Sequence, residues 1–565
     1  MRHCFASIFT APACRPISLV STAAALLFLA SIASAEVRLP NVFGDRMVLQ
    51  CEKPILVWGF ADAEEKIAVQ FAGQTKSTVA DQQGDWSVTL DAVDASFEGR
   101  ELVVEGPSNR IALADVLLGE VWICGGQSNM EWSLRSTVNA DLETESADYP
   151  AVRYFKLPHI ARPEPQKDIL IEGAAEHEGN WRLCMPPAVE NCTGVGYYFG
   201  VRLHRRLKKP VGLIDTSWGG TMAQHWCNKE TLRTIPEMQS YFEDFEAAMK
   251  TWVDGGGEDG AKKRYEADLK KWEAARAAAR EKGEREPGRP NPKSYTNPGE
   301  KRQPAGMYNG MILPLAPLAI RGALFYQGEN NSFGESWKPF PKTFPAVIAD
   351  WRQAFGDDEL PFGIIQIAGW SNRRSMTYDM NHHTNIVREI QLLTWQRTPG
   401  TGLIVTYDTN SNGSIHPGSK QPVGERSARW ALAEVYGTTV PNSTRPIEWR
   451  GPVYESMEVD EDKIAISFKE GTANGLRLDQ DDDSGFCIAG EDREFHHAQA
   501  QIDGRNAVRV WSASVPKPVA VRYSSSNLPV GRLMNSKELP AYPFRTDTWP
   551  LVPHQSTGEY KVEEH

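Results

Sequence analysis

Four apolar runs in this chain each break off into a polar, glycine-bearing turn. A chain that does this repeatedly is restricted to folds whose strands deliver their ends to one edge of a sheet. The first run, Val121-Trp122-Ile123, empties into Gly125-Gly126-Gln127-Ser128. The second, Val211 to Asp215, leads to Thr216-Ser217-Trp218-Gly219-Gly220-Thr221. The third, Gly322 to Tyr326, opens into Gln327-Gly328-Glu329, and the fourth, Gly402 to Tyr407, runs through Asp408 to Ser414-Ile415-His416-Pro417. A further apolar run, Phe362 to Ala368, lies between the third and the fourth. Helical spacing separates the runs, at Gly194 to Leu203, Asn385 to Arg397 and Val423 to Tyr436. Strands alternating with helices predict an α/β, doubly wound sheet with its site at the carboxyl edge.

On either side of this region the texture changes. From Glu36 to Asp115, short alternating runs such as Ile55 to Trp58, Ile67 to Phe71 and Trp86 to Leu90 are cut by Gly73, Gly84-Asp85 and Gly106-Pro107. From Asn442 onward, Ile464 to Phe468, Val508 to Trp511 and Val519 to Tyr523 repeat that pattern. The expected organisation is therefore an N-terminal β domain at 36–115, a mixed α/β domain at 116–441 and a C-terminal β domain at 442–565. Within the α/β domain, 236–304 is an insertion, with a charged stretch Tyr265 to Arg285 that predicts one or two solvated helices. Trp58 and Trp86, at β spacing, are expected in the core rather than stacked on a ligand. The acidic loop Asp479 to Ser484 reads as solvated rather than as a cation site.

Residues 1–35 carry Arg2 and Arg15 ahead of the apolar stretch Leu19 to Ile32, followed by Ala33-Ser34-Ala35. This is the pattern of a signal peptide cleaved after Ala35, and it predicts a secreted or periplasmic protein with no membrane attachment after cleavage. Loss of the two arginines from 61 basic residues leaves 59 against 73 acidic ones, a net charge of −14. That charge argues against nucleic acid as a partner. Six cysteines remain, Cys51, Cys124, Cys184, Cys192, Cys227 and Cys487. Cys184 and Cys192 are the closest pair, although spacing forces no disulfide. No Cys-x-x-Cys or His-Glu-x-x-His pattern occurs, so a metal site has no support in the sequence.

Together the strand ends hold what acyl transfer requires. Ser128 is a hydroxyl nucleophile at a tight turn, Gly219 and Gly220 offer backbone amides to an oxyanion, Gln327 offers a side-chain amide, and His416 is an imidazole base. Trp132 and Trp218 flank these turns, as an acetyl pocket or as packing beneath it.

Over nearly all of residues 36–565 the chain resembles the sialate O-acetylesterase family of the SGNH hydrolases. The resemblance rests on Gly119-Glu120-Val121-Trp122, Gly126-Gln127-Ser128-Asn129-Met130-Glu131, Ser217-Trp218-Gly219-Gly220-Thr221, Tyr308-Asn309-Gly310-Met311-Ile312, Tyr326-Gln327-Gly328-Glu329, Ile415-His416-Pro417 and Leu539 to Thr546. It implies a flavodoxin-like three-layer α/β/α hydrolase domain that removes O-acetyl groups from sugars without a cofactor. Ser128 would be the nucleophile and His416 the general base. The oxyanion would be held by Ser128, by Gly219 or Gly220, and by Gln327, which stands where many SGNH enzymes have asparagine. Many relatives place an aspartate two or three residues before the histidine, where this chain has Ser414 and Gly413. Glu329 is the favoured substitute acid, Asp408 the second, and a Ser-His dyad the third. The same parts would serve an acetylxylan or other hemicellulose deacetylase, and the missing aspartate leaves a silent sugar-binding protein as the reading from another class. The signal-peptide reading predicts that mass spectrometry of exported protein finds Glu36 as the first residue; an intact Met1 in exported material refutes it.

Overall fold

The computed structural model describes residues 36–370, 383–409, 414–479, 484–529 and 531–549. The signal-peptide segment, Gly413 and most of the acidic loop at 479–484 lie outside the described residues.

The N-terminal strands are β1 (Val48–Gln50), β2 (Ile55–Phe60), β3 (Lys66–Phe71), β4 (Gln74–Val79), β5 (Asp85–Leu90), β6 (Ser96–Glu105) and β7 (Arg110–Gly126). β2 pairs antiparallel with β5, while β3 joins β4 and β6, and β6 joins β7. Alternation puts Ile67, Val69 and Phe71 inside and leaves Lys66 and Gln70 exposed. Trp58 and Trp86 are both buried, Trp58 edge-on to Phe43 at 4.8 Å, so these aromatics belong to the core.

β7 is the strand around which the rest is arranged. Its first half pairs with β6, and its second half lies at the centre of a parallel sheet. That sheet continues through β8 (Tyr149–Lys156), β9 (Trp181–Cys184), β10 (Val211–Asp215), β11 (Gly322–Tyr326), β12 (Phe362–Ile365) and β13 (Thr401–Ile404). The order is β13-β12-β11-β7-β10-β8-β9, parallel except for β9, which runs antiparallel to β8. The chain leaves β7 toward β8, returns to β10 and then crosses to β11 on the other side of β7. A switch of direction therefore falls at the carboxyl end of β7, where a crevice opens in such sheets. The expected boundary at 115/116 lies inside β7, at a register shift where Asp115 takes φ +57° and beyond which the pairing with β6 resumes at Val116.

Helices cover both faces. On one, Gly194–Leu207 and Gln421–Trp430 pack against each other at Gly424, where a Cβ would come within 2.7 Å of the Val195 carbonyl oxygen. Beneath them Trp122 meets Phe199 and Trp430 edge-on. On the other face, Trp351 of the helix Phe340–Phe355 packs on Phe325 and Phe362. The insertion contributes the two helices Gln239–Asp254 and Gly257–Lys282, mostly solvent-exposed. The C-terminal strands form two four-stranded antiparallel arrangements that share an aromatic cluster of Phe468, Phe486, Tyr523 and Phe544. They are tied to the α/β region by Tyr542, which donates to the Leu403 carbonyl, and by Arg545, which pairs with Glu389 at 2.7 Å. Among the described residues no helix is long and apolar enough to cross a membrane, and Cys51, Cys124, Cys184, Cys192 and Cys227 are buried as thiols.

A buried ionic cluster anchors the amino-terminal end of the central strands. Glu120, fully buried in β7, accepts from Arg321 at 2.7 Å, Lys209 at 2.9 Å and Gln50 at 3.2 Å. Burial alone would raise its pKa, but the bonds from Arg321 and Lys209 hold the carboxyl below its usual range. Cys51 and Glu52 lie beside it in a spacing a cation could use, yet both carboxylates already bind Lys209 and Arg321. Removing one member of a buried pair strands the others. Glu120→Gln is expected to lose about 3–5 kcal/mol of folding stability, measured by denaturant unfolding; a loss below about 1 kcal/mol would show that the cluster is solvated.

Candidate active site

The end of β7 can turn sharply only because it is glycine. Gly126 has φ +127°, and a Cβ there would lie 2.2 Å from the Tyr326 carbonyl oxygen. The close approach lets the Gln127 amide donate to that same oxygen at 2.9 Å. Ser128 then opens a four-residue helix, Ser128–Glu131, and is partly exposed. As the first residue of that helix, its amide has no acceptor inside it.

Three other strand ends are bonded to this turn. The loop after β10 comes in through the Trp218 amide, which donates to the Gly126 carbonyl at 2.9 Å. Gly219 lies against Ser128, for a Cβ on it would be 3.1 Å from the serine Cβ. The loop after β11 is gathered by Gln127, whose Oε1 accepts from Gln327 Nε2 at 2.6 Å and from the Asn330 amide at 3.2 Å. From the loop after β13, His416 brings Nε2 to 2.7 Å from Ser128 Oγ. Beneath the turn, Thr193 caps the helix Gly194–Leu207 and donates to the Met130 carbonyl at 2.6 Å.

The imidazole is held on several sides. Trp132 stacks on it, with ring centroids 5.1 Å apart and 21° between the planes. The His416 amide donates to Ser414 Oγ at 3.1 Å. Burial, with the nearby Lys420 charge, pushes the His416 pKa below the usual imidazole range, and Glu131 opposes that shift. Glu131 accepts from the Gly219 amide at 2.7 Å and from His159 Nε2 at 3.0 Å. Against the upward push of burial, those contacts hold its carboxyl below the usual range.

Three candidate residues are placed otherwise than the sequence suggests. Gln327 is fully buried, and its amide hydrogens are taken by Gln127 Oε1 and by the Thr221 carbonyl at 2.9 Å. It is therefore a strut between loops, not a donor offered to the cleft. Glu329 makes no hydrogen bond to His416. It is buried, and it accepts from Asn129 Nδ2 at 2.5 Å. Burial, only partly offset by hydrogen bonding and by Lys420, pushes the Glu329 pKa up to about 7. Asp408 is likewise turned away, paired with Arg426 at 2.7 and 2.6 Å. Sequence reasoning assigns no role to Asn129, Glu131, Lys420 or His159. The first two lie within the Gln127 to Trp132 stretch, and Lys420 stands four residues after His416.

A cavity of about 670 Å³ opens elsewhere, between the helix Thr384–Arg397 and the C-terminal strands, lined by residues such as Trp395, Arg450, Tyr454 and Tyr542. None of its lining residues belongs to the cluster around Ser128, and geometry at the reacting atoms outweighs cavity size in locating chemistry.

No family model matches the chain. It is similar to the sialate O-acetylesterase of Mus musculus, 27% identical over 464 residues that cover 75% of this chain and 76% of the mouse protein. The corresponding human protein, from Homo sapiens, is 26% identical over 466 residues, 75% of this chain and 74% of its own. Among solved structures, the carbohydrate acetylesterase XAC1771 of Xanthomonas citri superposes with a TM-score of 0.73 at 30% identity, covering 91% of this chain and all of that one.

The stacking of Trp132 on His416 has a direct consequence for titration. Trp132→Ala admits water to the imidazole and relieves the burial that disfavours its charged form. The His416 midpoint, followed by NMR on labelled histidine, is expected to rise toward the ordinary range; an unchanged or lower midpoint contradicts burial as the cause.

Proposed function

This chain belongs to the sialate O-acetylesterase family of carboxylic ester hydrolases, and on that premise we propose that it removes O-acetyl groups from carbohydrates through an acetyl-enzyme formed on Ser128. The observation that carries the mechanism is the 2.7 Å contact between His416 Nε2 and Ser128 Oγ. An imidazole whose pKa is lowered by burial is neutral at pH 7 and can take the hydroxyl proton as the oxygen attacks the ester carbonyl. His416 then returns that proton to the departing sugar oxygen. A water activated by the same nitrogen releases acetate in the second half of the cycle.

The commitments of the nearby donors support a backbone oxyanion hole. Gln327 is committed to Gln127 and Thr221, and the Gly219 amide to Glu131. The amides of Ser128 and Gly220 are the pair that receives the developing charge, in the manner of backbone oxyanion holes. The triad acid is replaced by a Ser-His dyad. Glu131 favours the imidazolium by charge without bonding to it, and Glu329 acts through Asn129 as a positioning residue. The enzyme works outside the cytoplasm, after removal of residues 1–35.

The test is hydrolysis of p-nitrophenyl acetate. Wild type is expected to give a burst of nitrophenolate, with Ser128→Ala and His416→Gln each losing about 10³-fold or more in kcat. Asp408→Asn, whose partner is Arg426, is expected to stay within about threefold. Turnover by Ser128→Ala at the wild-type rate would sink the mechanism. Acetate release from O-acetylated sialic acids, xylan and pectin then ranks the sugar, and release from xylan alone favours the hemicellulose reading.

A further inference from the structure

Lys420 is 1% exposed, an unusual position for an ammonium group, and it lies directly behind the Ser128–His416 pair. It immediately precedes the helix Gln421–Trp430. Its Nζ donates to Asn129 Oδ1 at 2.5 Å and stands 5.4 and 5.9 Å from the ring centroids of Tyr326 and Trp132. Asn129 in turn uses its Nδ2 on Glu329 at 2.5 Å and on the Ile415 carbonyl at 2.9 Å. One buried amide thus touches three things at once: a cation, a carboxylate and the backbone just before the histidine. Asn129 is also the neighbour of Ser128. The contact reaches the histidine loop and the nucleophile turn together.

We infer that Lys420 is a positioning residue of the esterase. Through Asn129 it fixes the histidine loop against the nucleophile turn, and it sets a cation against the Trp132 ring that stacks on His416. This rests on the Ser128–His416 mechanism above.

The charged groups acting on His416 can be named from each element around it. Lys420, on its own loop, disfavours the imidazolium, while Glu131, from the helix after β7, favours it. From the β11 loop, Glu329 is the counter-charge of Lys420. Asp408 is neutralised by Arg426. Burial pushes Lys420 down and Glu329 up, and the charge of each opposes the shift of the other. A purely apolar plug would fill the space without such an effect, and buried pairs of this kind are often no more stabilising than apolar packing. The arrangement is explained by its action on the histidine.

The experiment is the pH dependence of kcat/KM for p-nitrophenyl acetate, whose rising limb reports deprotonation of the base in the free enzyme. Lys420→Gln keeps a donor for Asn129 but removes the charge. It is expected to lose roughly tenfold to a hundredfold in rate and to move the rising limb to higher pH, since the repulsion on the imidazolium is gone. Lys420→Arg keeps the charge and is expected to leave the limb near its wild-type position even where the rate falls. Glu329→Gln keeps the acceptor for Asn129 while removing the counter-charge, and it too displaces the limb. A rising limb at the wild-type pH in both Lys420→Gln and Glu329→Gln overturns the inference, as does an equal displacement in Lys420→Gln and Lys420→Arg. Should Lys420→Gln show no cooperative thermal unfolding, Glu329→Gln decides by itself: a displaced limb supports the assignment and an unmoved one overturns it. Retention of activity by Ser128→Ala would refute the mechanism beneath the inference, whereas an unmoved limb refutes Lys420 alone.

Discussion

Everything at the site depends on how closely β7 approaches β11 at Gly126. With no side chain there, the Gln127 amide can reach the Tyr326 carbonyl and the Gly126 carbonyl can receive Trp218. Those two bonds bring the loops after β7, β10 and β11 into one hydrogen-bonded body. Any Cβ would separate them, and Ser128 would lose its relation to Gly219. The nucleophile is thus placed by backbone contact between strands, with side chains such as Gln127 and Thr193 closing the remaining gaps.

The two ends of this sheet handle buried charge in opposite ways. At one end Glu120 is met by two cations and an amide, and it stays firmly ionised. At the other, Glu329 and Lys420 share one asparagine, and burial draws both toward neutrality. The first arrangement suits a fixed anchor, because moving a proton there would break several bonds. The second joins a cation and a carboxylate through a single amide that also holds the backbone just before His416.

Much of this was readable in one dimension. Apolar runs ending in glycine-bearing turns located the strand ends, and with them the meeting of Ser128 and His416, because strand and turn patterns report on backbone course. Trp58 and Trp86 were correctly read as core from their alternation. The failures share a cause. Gln327 and Glu329 sit at the expected strand end, but which atom takes which proton depends on neighbours from other loops, here Gln127, Thr221 and Asn129. Lys420 looked like any lysine near a helix start, since nothing in the pattern of a single helix announces that its first turn will be covered. The length of β7 was hidden because its two halves have different textures, exposed alternation up to Asp115 and a continuous apolar run beyond it.

β7 spans 17 residues and is hydrogen-bonded first to the N-terminal strands and then to the parallel sheet. There is accordingly no seam between the two regions at which a cut leaves both sides whole. Excision at residue 115 would leave an unpaired strand edge on one fragment and a truncated central strand on the other. The N-terminal sheet is therefore not a detachable appendage: the strand that closes it is the one that carries the nucleophile.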